Sequence, residues 1–222
     1  PNTVAFTYDT WMLANGTGSA ITKGGGDTWY FLTADYAFGH ALERDTAAAV
    51  TKAGGKVVGS VRHPFPGQDF SSFLLQAQSS KAKVIGLANA GGDTINSIKQ
   101  ASEFGITKGG QNLAGMLMFI TDVHSLGLNT AQGLIFTTTF YWDLNDQTRA
   151  WSRRFIAASG GKYPTMIHAG VYGAVLHYLK AVEAAKTDDG TKVIAKMKEL
   201  PTDDVLFGKG TIRADGRKLH PA

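Results

Sequence analysis

Trp29-Tyr30-Phe31-Leu32-Thr33, followed by Ala34-Asp35-Tyr36-Ala37-Phe38-Gly39, opens the stretch that decides the fold. The first five residues form an apolar, aromatic-rich run of strand length. The loop after them leads into a helical pattern that puts Leu42, Thr46, Ala49, Val50 and Ala53 on one face, and Gly54-Gly55 stops it. Residues 56–61 read as a second strand. Asp69 or Ser71 then caps a second helix with Phe70, Phe73, Leu74 and Ala77 inward. Residues 83–89 read as a third strand, ending in Ala90-Gly91-Gly92-Asp93. Strands alternating with helices through short loops predict an α/β layer with a parallel sheet. Such sheets bind ligands beyond the carboxyl ends of their strands, where residues 35–38 and 89–93 fall.

Outward from this stretch the pattern continues. Toward the amino end, residues 3–7 read as extended, and Asp9 or Thr10 caps a helix carrying Met12, Leu13 and Ala20. Gly24-Gly25-Gly26 reads as a break; no strand precedes it and no Lys-Ser pair follows, so it is not a phosphate loop. Toward the carboxyl end, Asp93 is placed to cap a helix bearing Ile95, Ile98 and Ala101. Fourth and fifth strands are expected at residues 113–119 and 133–139, which makes a doubly wound layer. Beyond it the character changes. Helices are expected at 147–159, 165–186 and 191–200, the long one with Val171, Val175, Tyr178, Leu179 and Val182 on one face. Only 205–213 reads as strand. Three amphipathic helices with one strand to cover imply a second lobe whose sheet is incomplete in this chain.

Composition narrows the function. A chain of 222 residues holds one good core or two small ones, and the 43% hydrophobic, 18% charged balance is that of a folded globular protein. The net charge of +4 is scattered, so it describes a solvated surface and no nucleic-acid face. The chain has no cysteine, which excludes disulfides, thiolate metal sites and cysteine nucleophiles. No apolar stretch is long enough to span a membrane. The chain starts at Pro1, and the unbalanced second region favours a piece of a longer protein. A dinucleotide fingerprint, a P-loop and a nucleophile elbow are all missing. The six histidines are dispersed; Asp122 and His124 lie two apart with no third ligand beside them. No cofactor, no metal and no enzymatic activity are expected.

Several segments carry a family resemblance: Asp35-Tyr36-Ala37-Phe38-Gly39, Gly54-Gly55-Lys56-Val57-Val58-Gly59, Pro66-Gly67-Gln68-Asp69-Phe70-Ser71, Ala131-Gln132-Gly133-Leu134, Tyr163-Pro164 and Phe207-Gly208-Lys209-Gly210. In this order, and over nearly the whole chain, they resemble the solute-binding proteins of ABC transporters with the type I periplasmic fold, the branched-chain amino acid receptor family. The resemblance implies two lobes. Residues 1–141 would be the ligand-binding second lobe, and residues 142–222 the mostly helical carboxyl-terminal part of the first. It implies a periplasmic location, capture of a small carboxylate between lobes that close by hinge motion, and delivery to a membrane permease. The amino-terminal part of the same protein would be a further partner.

Site residues follow from the resemblance and the strand-end loops: Tyr36, Phe38, Asn89, Ala90, Gly91, Gly92, Asp93, Phe119, Phe140, Tyr141, Trp142 and His168. An amino-acid ligand brings an ammonium that needs a carboxylate partner. The loop after the fourth strand, Met118-Phe119-Ile120-Thr121, reaches its first acid late, at Asp122, and Asp93 is placed to cap a helix. The strand ends are rich in rings, which suit a planar aromatic acid of the benzoate or hydroxycinnamate type. The alternatives are a branched-chain or other amino acid, and a ligand-sensing domain of a regulator or receptor on the same fold.

Overall fold

A computed structural model of the chain describes residues 2–220. They form two compact units, residues 9–138 and residues 139–222 joined by the extended start before residue 9.

The first unit begins with a short helical rod: α1 (Thr10–Leu13), a π-helical segment (Ala14–Gly18) and α2 (Ser19–Lys23). Asp9 caps it by accepting from the Met12 N–H at 2.7 Å. Then strand and helix alternate: β1 (Thr28–Ala34), α3 (Ala37–Lys52), β2 (Lys56–His63), α4 (Ser71–Ser79), β3 (Val84–Ala88), α5 (Gly92–Glu103), β4 (Asn112–Gly115), α6 (Ile120–Leu126) and α7 (Leu128–Ala131). The four strands are parallel in the order β2-β1-β3-β4. All five residues of β3 are buried, as a strand covered on both faces requires. β2 is an edge strand with alternating exposure, and its ends carry Lys56 and Arg62. The core packs Leu32, Phe70, Leu74, Ile85, Leu87 and Ile98 between sheet and helices.

The mixed α/β architecture with a parallel sheet is the one the sequence predicts, with four differences inside this unit. The cap position of α4 is Phe70, and Asp69 accepts the Ser71 N–H at 2.9 Å just before it. The fourth strand ends at Gly115 and not at 119. β3 ends at Ala88, so the Met116 N–H bonds the Leu87 carbonyl at 3.3 Å and the chain beyond has no strand beside it. The fifth strand does not form a ladder; residue Ile135 makes one parallel bridge to Ala114. Gly133 bends the chain at φ +85°, and Thr137 is engaged by the Thr17 hydroxyl at 2.8 Å. Finally, α5 is not capped by Asp93. Its cap position is Gly91, at φ 57° and ψ −129°, a conformation open to glycine.

The second unit holds α8 (Asp146–Ala158), α9 (Met166–Ala185), α10 (Gly190–Glu199) and three short strands, β5 (Thr202–Asp204), β6 (Gly208–Ile212) and β7 (Lys218–Leu219). The strands form an antiparallel sheet, β5-β6-β7, where the sequence suggests a single strand. The missed pair are three and two residues long, too short for any periodicity. Ala5 bridges Arg217 in parallel, which ties the extended start to this unit. One face of α9 is buried through Ala169, Gly170, Gly173, His177 and Ala181. The stripe Val171, Val175, Tyr178 and Leu179 stays in water, Leu179 being 57% exposed. Inside the unit, Lys218 and Asp204 form a buried ion pair at 3.2 Å. The Lys218 ammonium lies 4.1 Å from the Phe207 ring and 5.1 Å from the Phe6 ring, and burial pushes its pKa down.

Candidate functional site

The sheet order singles out one place as the candidate site. The chain leaves β1 toward β2 on one side, and β3 enters on the other. The order therefore reverses between the carboxyl ends of β1 and β3, the kind of position at which open α/β sheets bind ligands. Two helices, α3 and α5, start from those strand ends, and neither has a side-chain hydrogen bond from its cap residue. Their amino-termini favour negative charge. Gly39, in the first turn of α3, lets that helix start close to β1, because a Cβ there would collide with the Ala34 carbonyl oxygen.

On the β1 side, Tyr36 and Phe38 are half-buried, with ring centroids 6.0 Å apart. Tyr36 also stacks on Phe65, from the loop after β2, at 4.2 Å and 11° between planes. Asp35 is exposed and pairs with His40 at 2.7 Å.

On the β3 side, Asn89 is fully buried and its amide is used internally. It accepts from the Thr94 hydroxyl at 2.7 Å and donates toward Ser97 Oγ at 3.3 Å and His63 Nε2 at 3.2 Å. His63, also buried, donates from Nδ1 to the Pro64 carbonyl at 2.8 Å, which leaves Nε2 as the acceptor for Asn89. Asp93 sits in the first turn of α5, 5% exposed, and accepts the Gly67 N–H on Oδ1 at 3.1 Å. Its Oδ2 is buried with no hydrogen-bond partner and lies 3.9 Å from His63 Nδ1. Ala90 and Gly91 are half-buried and Gly92 is exposed, so this loop presents backbone outward.

After β4, Phe119 is half-buried, and its N–H donates to Asp122 Oδ2 at 2.9 Å. Asp122 thus closes the first turn of α6 from inside, and burial raises its pKa against the pull of that hydrogen bond.

Tyr36, Phe38, 89–93 and Phe119 therefore share the carboxyl end of one sheet. The other expected contacts belong to the second unit. Phe140 is a core residue, edge-on to Trp151 at 5.7 Å and to Phe207 at 6.4 Å. Trp142 packs edge-on against Tyr163 at 4.8 Å, and Tyr141 is exposed. His168 works on its own helix. Its Nδ1 accepts the Thr165 N–H at 3.0 Å, which closes the first turn of α9, and its ring lies 4.8 Å from Phe155. Burial holds its pKa below the ordinary histidine value.

The sequence alone does not single out His63 and Phe65, although a signal for them was present. His63 is the last residue of β2 and turns inward, and Pro64 and Pro66 bracket Phe65 in a stretch that reads only as a connection. Among the described residues, no three His, Asp or Glu side chains gather as a metal site would need, and no helix is long and apolar enough to cross a membrane.

With this geometry in hand, comparison with known proteins gives the class. The family profile for periplasmic binding proteins matches residues 1–222, and the chain belongs to that family, with the type I α/β fold of ABC-transporter solute-binding proteins. A periplasmic binding protein from Burkholderia mallei is 56% identical, with a TM-score of 0.94 over 98% of this chain and 57% of that one. A branched chain amino acid ABC transporter periplasmic ligand-binding protein from Burkholderia xenovorans LB400 is 41% identical, with a TM-score of 0.85 over 98% and 58%. The Leu/Ile/Val-binding protein homolog 6 of Brucella melitensis is 28% identical over 229 residues, 99% of this chain and 57% of the relative. The chain thus spans a little over half the length of these relatives.

Proposed function

We propose that this chain supplies one ligand-contacting lobe, residues 9–138, and part of the other lobe of a periplasmic solute-binding protein. The whole protein captures a small carboxylate, an aromatic acid of the benzoate or hydroxycinnamate type, and delivers it to an ABC-transporter permease. The observation that carries this reading is the contrast between rings and acids at the strand ends. Tyr36, Phe38 and Phe119 keep part of their surface open there, while Asp122 is committed to the Phe119 amide. Rings offer flat apolar walls to a planar ligand. An ammonium would need an available carboxylate. The amino-terminus of α3 adds a field that suits an anionic ligand, whereas that of α5 already holds the Asp93 carboxylate in its first turn.

We read the exposed stripe of α9 as a face that further polypeptide of the same protein covers, since solvated apolar faces of this kind are uncommon on soluble monomers.

One observation favours a second reading, a branched-chain or related amino acid. Asp93 Oδ2 is buried without a hydrogen bond, and a ligand ammonium could satisfy it after a small loop shift. The names of two relatives point the same way. Thermal-shift titration of the full-length protein separates the two, because a ligand that binds only the folded state raises Tm by mass action. A rise with benzoate or 4-hydroxycinnamate and none with leucine, isoleucine or valine is expected. The opposite result overturns the aromatic reading, and Asp93→Asn should then abolish the leucine response.

A further inference from the structure

We propose that Phe65 is a specificity-determining residue of the ligand site, the ring that completes with Tyr36 an aromatic wall for a flat ligand. The proposal rests on reading the carboxyl end of this sheet as the binding end.

Three observations lead to it. Phe65 is 52% exposed, a large apolar ring left in water on the loop after β2. Its orientation is fixed, since Tyr36 covers one face in a near-parallel stack at 4.2 Å. The loop that holds it is fastened on both sides. Before Phe65, the Pro64 carbonyl accepts from the buried His63 ring. After it, the Gly67 N–H donates to Asp93 Oδ1 at 3.1 Å and the Phe70 N–H to Gln100 Oε1 at 2.8 Å. Gln100 Nε2 returns a bond to the Gln68 carbonyl at 2.9 Å. Prolines on either side of Phe65 remove further backbone freedom.

An exposed aromatic on a mobile loop costs ordering entropy when it binds. One held in place in advance does not, and preorganised rings are what binding hot spots are made of. The anchors also explain why the loop is tied to α5 in particular. Asp93 and Gln100 lie on the helix that starts from the β3 end, so the wall built after β1 and β2 is set in register with the loop after β3. The exposed face of Phe65 suits the π-face or edge of an aromatic ring, with the acid group left for the amino-terminus of α3. A branched aliphatic side chain gains less from it.

The test is calorimetric titration of the full-length protein and its Phe65→Ala, Phe65→Leu and Phe65→Tyr variants with benzoate, 4-hydroxycinnamate and leucine. Phe65→Ala and Phe65→Leu are expected to weaken the aromatic acids about tenfold. Phe65→Tyr is expected to stay within about threefold of wild type, and the ligand-free Tm of all three should move little because the ring is on the surface. Wild-type binding of an aromatic acid that Phe65→Ala and Phe65→Leu leave unchanged overturns the role of Phe65 and leaves the binding reading standing. A wild-type protein that takes leucine alone overturns the reading and this proposal with it.

Discussion

The two units of this chain are built on opposite principles. Residues 9–138 surround a parallel sheet with helices and pack one apolar core between them, with single apolar side chains such as Leu75 and Leu128 left on the surface. Residues 139–222 carry a 20-residue helix with one face buried and one apolar stripe in water, beside an antiparallel sheet of three short strands. Where the first unit buries a strand of five apolar or small residues, the second buries a lysine against an aspartate between two phenyl rings. The first is a finished core. The second uses charge and rings to hold a small core together and leaves the Val171, Val175, Tyr178 and Leu179 stripe of α9 in solvent.

That contrast can be broken by mutation. The largest effect is expected in the sheet. Leu87→Ala, at a fully buried position of β3, should cost about 2–5 kcal/mol in denaturant unfolding. If it costs as little as a surface change, the sheet unit is not the finished core described above. Next is Lys218→Met. It leaves Asp204 buried with the Leu206 and Phe207 amides as its remaining donors, both at 2.8 Å, and about 3 kcal/mol of destabilisation should follow. Replacing both partners by apolar residues should cost less than replacing one, which a double-mutant cycle would read directly.

His168 gives a smaller and pH-dependent effect. Its pKa is depressed in the folded state, so the neutral ring is the one the fold prefers. Its contribution is therefore present above the ordinary value of 6.5 and is lost as pH falls below that value through the folded pKa. His168→Ala should cost about 0.5–1 kcal/mol at neutral pH through the lost α9 cap. His168→Gln keeps an acceptor for the Thr165 N–H and should flatten the loss of Tm as pH falls below 6.5. An unchanged acid slope in the Gln variant would mean that another group carries it. Smallest of all is Leu179→Ser on the exposed stripe, expected within about 0.5 kcal/mol for this 222-residue chain. In the longer protein the same change should cost about 2 kcal/mol or more if that face is covered. Equal costs in the two settings would remove the case for a covering segment.

These differences also explain what the sequence made readable. The first three strands and their helices were legible because each is a run bounded by glycine or by a capping residue. The fifth strand was not, because Ile135 has the right composition and the wrong neighbours, with Gly133 bending the chain and Thr137 drawn toward Thr17. The stripe of α9 was legible as a set of positions, and so was its lack of a sheet. The Lys218–Asp204 pair was not legible, since the two lie 14 residues apart and meet only through the pairing of short strands. At the site, position in the fold was legible and side-chain duty was not. Asn89 and Asp93 stand where the strand ends put them, yet Asn89 commits its amide to Thr94, Ser97 and His63, and Asp93 holds Gly67 in place of capping its own helix. Polar side chains at strand ends answer to whichever backbone group is left unsatisfied nearby, and that depends on loops that periodicity does not describe.

The edge strand β2 has a consequence for the protein before and after it folds. An open strand edge offers unpaired amides to any similar strand, and a run such as Lys56 to His63 could recruit a second chain as readily as its own β1. Its charges stand at the two ends, at Lys56 and Arg62, and Pro64 with Pro66 ends the ladder directly after it. A growing stack of such edges would have to align like charges at 4.7–4.9 Å, roughly the strand spacing, and find no donor at the prolines. The same short stretch that carries the exposed Phe65 therefore also works against amyloid-like self-association.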